Sequence, residues 1–253
     1  MINVLQKAVT ILRLLVPEGN VKEWSATEVA RRAGLPVGTV HRILLELKKQ
    51  GMVVQNDNTK KFRLGLMLIE LGFIARENLS IVESAKPFLK DLAEKTQETV
   101  HLTVQDDCEG VLIDKIDTVH HLRLAQPIGM RTPLTRGALK KVILAYLPSD
   151  EINRIVNKIQ EKYTRKGVNW DKGSIMEEME QIRNNGYAIS YGEVTPGTGS
   201  IASPVFDFKG QVVASIGIVG PESRFSGEEL PQKIECVKRA GIQLTKNISG
   251  ILK

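Results

Sequence analysis

Residues 25–54, SATEVARRAGLPVGTVHRILLELKKQGMVV, restrict the fold more than any other stretch of this chain. Ser25 and Glu28 stand at capping-box spacing, so the serine hydroxyl can accept the amide three residues on while the glutamate reaches back. This predicts a helix over 25–33. Gly34 ends it, since a residue without Cβ takes the left-handed conformation cheaply, and Leu35 anchors the turn. Pro36 opens the next helix, where its missing N–H would have had no partner. From there Val40, Ile43, Leu44 and Leu47 recur at i, i+3, i+4 and i+7 and face inward. The same geometry turns Val37, Gly38, Thr39, His41, Arg42, Leu45, Lys48 and Lys49 to other faces. Two helices joined by a tight turn, the second starting with small and polar residues, form a helix-turn-helix, whose second helix enters the DNA major groove by that end.

The flanks extend the motif. Val4, Ala8, Ile11, Leu12 and Leu15 form one stripe of a helix over 3–16, ended by Pro17. After Gly51, MVVQNDNTKKFRLG reads as a hairpin with Lys60 and Lys61 at its tip. A winged helix-turn-helix over 1–64 follows; a helical adaptor of the same topology that binds protein is the alternative. Charge favours DNA. The first 75 residues hold 11 Lys and Arg against 6 acids, a net of +5, whereas the other 178 hold 24 against 23, a net of +1. A basic module beside a near-neutral one suits nucleic acid, although a solvated basic face without a partner carries the same charge. The DNA-facing set is Ser25, Val37, Gly38, Thr39, His41, Arg42, Lys60 and Lys61.

Residues 65–80 predict a linker helix that is apolar nearly all round: Leu66, Met67, Leu68, Ile69, Leu71, Phe73 and Ile74 cannot all face one small core. A second subunit is the expected cover, and a homodimer would read a palindromic operator on double-stranded DNA. Burial between two domains of one chain is the alternative, and pairing of dimers into tetramers is left open. No apolar run is long enough for a bilayer, and Gln6, Lys7 and Arg13 interrupt the opening segment, so a cytoplasmic protein without a membrane partner is expected. Cys108 and Cys236 have no metal-type spacing and read as free thiols of a reducing compartment, a disulfide being the other option.

From residue 81 to 253 the pattern changes to an amphipathic helix over 83–98, strands TVHLTVQD and GVLIDKID, and a third strand within HHLRLAQPI. Helices near 135–147, 149–162 and 172–185 precede strands YAIS, SIASPVFDF and VVASIGIVG and a C-terminal helix from Ser226. This is an α+β layout with a sheet covered by helices on one face and able to open a pocket on the other.

The run NNGYAISYGEVTPGTGSIASPVFDFKGQVVASIGIVGP over 184–221, with ETVHL at 98–102, PIG at 127–129 and PLTRGALKKVILAYLP at 133–148, resembles the IclR family of bacterial transcriptional regulators along essentially the whole chain. The fold class that this resemblance implies is α/β (α+β): an N-terminal winged helix-turn-helix, a linker helix, and a C-terminal GAF-like effector-binding domain whose antiparallel-rich sheet is flanked by helices. It also implies a small-molecule effector, often a small organic acid. Carried over by position, the effector set is Leu124, Met130, Thr132, Ala138, Leu139, Ser190, Ser200, Gly217 and Val219. Amides at the start of the helix near Ala138 would suit a carboxylate, helped by the helix dipole, and Ser200 would add a hydroxyl. The chain departs from the family at Ser190, where an acid is common, at Lys140, where a glycine precedes Lys141, and at Gly217 and Val219, where some relatives are polar. Arg131 and Arg136 are candidate anion contacts in compensation.

A catalytic reading finds little support. His101, His120 and His121 with Asp106 and Asp114 lack metal-ligand spacing. PGTGSIAS lacks the strand-to-helix context of a nucleophile elbow. No catalytic residue, metal or cofactor is assigned. The function expected is a repressor or activator whose DNA binding is controlled by an effector; an enzyme or ligand-storage protein with a basic N-terminal domain of other use is the alternative.

Overall fold

The computed structural model describes residues 4–118, 126–165 and 171–250 and divides into two compact units, residues 1–78 and 79–253.

In the first unit, α1 (Val4–Leu14), α2 (Ala26–Ala33) and α3 (Val37–Lys49) precede a hairpin of β1 (Val53–Gln55) and β2 (Phe62–Leu64), then α4 (Met67–Glu77). The capping box forms: the Ser25 hydroxyl accepts from the Glu28 amide at 3.2 Å, and the Ser25 amide donates to the Glu28 carboxylate at 2.7 Å. That amide holds the Glu28 carboxyl below the usual range. Gly34 closes α2 at φ 65°, a conformation costly for residues bearing Cβ. Ile11, Leu15, Val29, Val40, Leu44 and Phe62 are fully buried in one core. Burial of each large apolar side chain contributes about 1.5–3 kcal/mol, which holds the three helices and hairpin together. Trp24 exchanges two backbone hydrogen bonds with Phe62, at 2.9 and 2.8 Å, tying the chain before α2 to the wing. Val4, expected on the buried stripe of α1, is exposed because the core begins only at Ile11.

The second unit is a six-stranded antiparallel sheet in the order β5-β4-β3-β8-β7-β6. After α5 (Ser80–Thr96) come β3 (Thr99–Asp106), β4 (Glu109–Ile116) and the short β5 (Arg131–Pro133). Helices α6 (Ala138–Ala145), α7 (Ser149–Thr164) and α8 (Lys172–Asn185) follow, then β6 (Ala188–Tyr191), β7 (Thr198–Phe206), β8 (Val212–Pro221) and α9 (Leu230–Ile248). Alternation along the strands divides two cores. Val100, Leu102, Ile201, Ile216 and Ile218 pack with α5 and α9, while Ala202 and Val219 pack with α6, which α7 and α8 back.

Helices therefore cover both faces of the sheet, not one as expected. The apolar run VILA makes α6 buried all round, so it fills the face on which an open pocket was anticipated. Other expectations shift locally. Most of the anticipated third strand lies outside the described residues; residues 126–128 are not strand, and β5 begins later, at Arg131. The segment 135–137 is a turn before α6 because Gly137 sits at φ 82°. The C-terminal helix starts at Leu230, four residues late, after a left-handed Gly227.

Candidate DNA-reading helix and effector cavity

The two ends of α3 differ as the sequence suggests. At its start Val37 is 47% exposed, and a Cβ at Gly38 would meet nothing within 4 Å, so this end can approach another surface closely. His41 and Arg42 are exposed and Thr39 is half-buried. The His41 ring stands edge-on to Phe62 at 6.3 Å, which seats it between α3 and the wing. Ser25 belongs to the same unit, but its hydroxyl and amide are already engaged by Glu28.

Several basic residues nearby are held by the fold itself. The Arg32 guanidinium stacks 4.3 Å from the Trp24 ring centroid and pairs with Glu18. Lys49 pairs with Glu46 at 2.9 Å, and Lys48 donates to Gln55 at 3.3 Å. Among the described residues Arg42 and Lys60 have no ion pair, which leaves them available to phosphate or a base edge.

The wing turn is at Asp57–Asn58–Thr59 and not at the lysines. The Asn56 carboxamide oxygen accepts from the Asn58 and Thr59 amides at 3.0 and 3.2 Å, folding the turn locally. Glu23 accepts from both the Asn56 carboxamide and the Thr59 hydroxyl, at 3.1 and 3.2 Å, so the wing is braced from below. Lys60, at φ 57°, follows the turn and precedes the return strand β2. Lys61 is half-buried, with its charge acting on Glu28.

In the second unit a small cavity lies against the start of α6 and strands β6, β7 and β8. Leu139, Ser190, Ser200 and Val219 of the expected set line it. Gln126, Gly137, Lys140, Glu193, Val194 and Thr198 complete it. Its free space is about 20 Å³, room for one water-sized guest. Other members of the expected set lie elsewhere. Thr132 pairs with Gly110 across β4 and β5, half-buried Met130 precedes β5, and Ala138 packs into the helical core. Gly217 serves strand packing: a Cβ there would collide with the Ile201 carbonyl and stand 2.9 Å from the Ala202 Cα. Leu124 lies outside the described residues.

The amides at the start of α6 already have protein partners, which corrects the expectation of an empty carboxylate seat. The Gly137 amide donates to the Glu193 carboxylate at 2.9 Å, and the Ala138 amide to the Ser190 hydroxyl at 3.0 Å. Ser190 and Ser200 face each other across β6 and β7 with hydroxyls 2.8 Å apart. Lys141 completes the clamp, donating to Glu193 at 2.6 Å and Glu178 at 2.7 Å. The candidate anion contacts Arg131 and Arg136 are engaged by Asp106 and Glu109, and by the Glu193 carbonyl.

Lys140 differs from its neighbour. It is 5% exposed, lines the cavity, and has no acceptor among the described residues; burial lowers its pKa to about 8. His101, fully buried on β3, is lowered to about 3, first by burial and then by the Lys140 charge, so its ring is neutral. Its Nε2 and the Thr103 hydroxyl find no partner among the described residues. Lys140 and Glu193 were absent from the expected set. Neither carries a local signal: ALKKVILA does not announce that α6 is buried all round, and Glu193 reaches the start of α6 only through the fold.

A winged helix-turn-helix joined to an α/β unit that encloses a cavity defines a two-domain DNA-binding transcriptional regulator. The comparisons make the class specific. Residues 4–57 match the model of the IclR helix-turn-helix domain, and residues 74–246 that of the bacterial transcriptional regulator IclR C-terminal domain. The chain belongs to the IclR family. It is 31% identical to the HTH-type transcriptional regulator KipR of Bacillus subtilis over 96% of this chain and 95% of that protein. The crystal structure of Thermotoga maritima IclR aligns with TM-score 0.73 at 28% identity, covering 98% of this chain and 99% of that one. An IclR homolog of Microbacterium hydrocarbonoxydans, crystallised with 4-hydroxybenzoate, shares the fold with TM-score 0.77 at 18% identity, over 98% of this chain and 100% of that one. The family and these relatives are regulators of transcription, not enzymes. Among the described residues no helix is long and apolar enough to cross a membrane.

Proposed function

We propose that this regulator binds a palindromic operator as a homodimer, reads it with Val37, Gly38, Thr39, His41 and Arg42, and releases or engages it according to a small molecule held between α6 and strands β6 to β8. The observation that carries this reading is the pairing, in one chain, of an open, cation-bearing start of α3 with a lined cavity in a separate unit. Ser25, Lys60 and Lys61 add phosphate contacts that set register without reading sequence. Leu139, Ser190, Ser200 and Val219 hold the effector, and the ligand-bearing Microbacterium homolog supports a small-molecule site in this fold. The apolar residues of α4 supply the dimer contact. A DNA-binding role of this kind fits a cytoplasmic protein.

The test is duplex binding by fluorescence anisotropy across a salt series, using operator and scrambled duplexes with the intact chain and with residues 1–78 deleted. Tight, salt-dependent binding of the intact chain that the deletion abolishes is expected. Equal binding by both proteins would move the DNA contact out of the first unit.

A further inference from the structure

Glu23, Trp24 and Ser25 are successive residues with three different attachments. The half-buried Glu23 carboxylate accepts from the Asn56 carboxamide at 3.1 and 3.2 Å and from the Thr59 hydroxyl at 3.2 Å, and it lies 3.9 Å from the Arg63 guanidinium. Trp24 pairs through its backbone with Phe62 on β2, and Ser25 caps α2. Three adjacent residues thus tie the wing turn, the return strand and α2 together. From the other side Lys48 of α3 donates to the Gln55 carboxamide at 3.3 Å, and Gln55 donates in turn to the Lys60 carbonyl at 3.2 Å. Lys60 stands where the two chains of contacts meet. Its amide donates to the Asn56 carbonyl at 2.8 Å, and its φ of 57° is one that a residue bearing Cβ keeps only when its surroundings hold it there.

We propose that Glu23 is a positioning residue for DNA binding: it fixes the turn at 56–59, and through it the left-handed Lys60, so that the lysine is presented to a phosphate in one place. This rests on the reading of Lys60 as a phosphate contact. By charge alone an acid in a DNA-contacting wing is misplaced, because it repels the phosphates that the neighbouring lysines attract. By geometry it is well placed. A turn already folded has lost the conformational freedom that a loose, lysine-bearing loop would have to lose on binding. The Glu23 carboxylate is the acceptor toward which the Asn56 carboxamide and the Thr59 hydroxyl both point, while the same hydroxyl accepts the Lys61 amide at 3.3 Å. The two effects have opposite signs: removing the acid strengthens DNA binding if charge dominates and weakens it if position does.

The experiment is fluorescence anisotropy of the full-length protein on a labelled mixed-sequence duplex of about 30 base pairs, between about 50 and 200 mM KCl. Wild type is compared with Glu23→Ala, Glu23→Gln, Thr59→Val, Lys60→Ala and the double variant Glu23→Ala with Lys60→Ala. Glu23→Ala should bind about three- to tenfold more weakly and lower the salt slope by about one, as though a cation had been lost, although the substitution removes an anion. Thr59→Val, which keeps the acid and removes one of its donors, should shift binding the same way. Glu23→Gln, which keeps an acceptor oxygen and drops the charge, should bind at least as tightly as wild type. Lys60→Ala should weaken wild type and have little further effect on Glu23→Ala, since a lysine no longer held in place has little left to lose. Should Glu23→Ala fail to fold by circular dichroism, Thr59→Val with and without Lys60→Ala carries the same cycle. Tighter binding by both Glu23 variants overturns the proposal in favour of charge alone, and so does an additive double variant. If Lys60→Ala leaves wild-type affinity unchanged, the phosphate contact itself is overturned and the role of Glu23 falls with it.

Discussion

Lys140 and Lys141 are adjacent, equally buried, and electrostatically opposite. Lys141 reaches Glu178 and Glu193; burial alone acts on Lys140 and lowers its pKa from 10.5 to about 8. Between those values the unfolded chain binds more protons than the folded one, so stability rises with pH from about 8 to 10.5. In urea melts of the ligand-free protein, Lys140→Met should flatten that rise and be more stable than wild type at pH 7. His101 acts in the acid range: with its pKa lowered from 6.5 to about 3, the unfolded chain again takes up more protons, and stability falls as pH drops through that window. His101→Leu should melt with a shallower loss between pH 6.5 and 4; an unchanged slope would assign acid sensitivity to other groups. In the first unit Arg42 is exposed and without an ion pair among the described residues. Arg42→Ala should weaken operator binding by about tenfold or more, the worth of one base contact, and relax discrimination at one position. Lys60→Ala should instead weaken all duplexes alike and reduce the salt slope by about one.

At the level of elements, α4 leaves its apolar side chains largely uncovered. It has no buried residue, and Ile69, Phe73 and Ile74 are each at least half exposed, an arrangement that favours self-association. Phe73→Glu should convert a dimer to monomer in sedimentation velocity without lowering the Tm of the second unit. An unaltered sedimentation coefficient would place the dimer contact elsewhere. Strands β7 and β8 depend on Gly217 in a different way, through backbone approach. Gly217→Val should destabilise the second unit, since the added side chain must displace the Ile201 carbonyl and Ala202. The hydrophobic period gave away most helices, because an amphipathic face must meet a core; it said less about α6, which is buried all round and has no polar face to define its packing.

For the molecule as a whole, the proposed control by a small molecule requires that it bind the DNA-competent and DNA-incompetent arrangements with different affinity. The coupling is reciprocal: whatever factor the ligand changes operator affinity by, saturating operator changes ligand affinity by the same factor. The helix-turn-helix could be read in the chain because its instructions are local. Ser25, Glu28, Gly34 and Pro36 act on their own backbone within a turn, and Val40, Ile43, Leu44 and Leu47 need only helical spacing to share a face. The cavity could not be read that way. Ser190 and Ser200 meet through strand register, Glu193 reaches the start of α6 from 56 residues away, and Lys140 loses water only when α6 is pressed on the sheet. The sequence alone thus determined where the helices of the helix-turn-helix start and stop and which face of α3 stays outside the core, since those follow from short-range geometry; tertiary packing decided which charges are paired and which lysine stands alone, since desolvation depends on every element around a group.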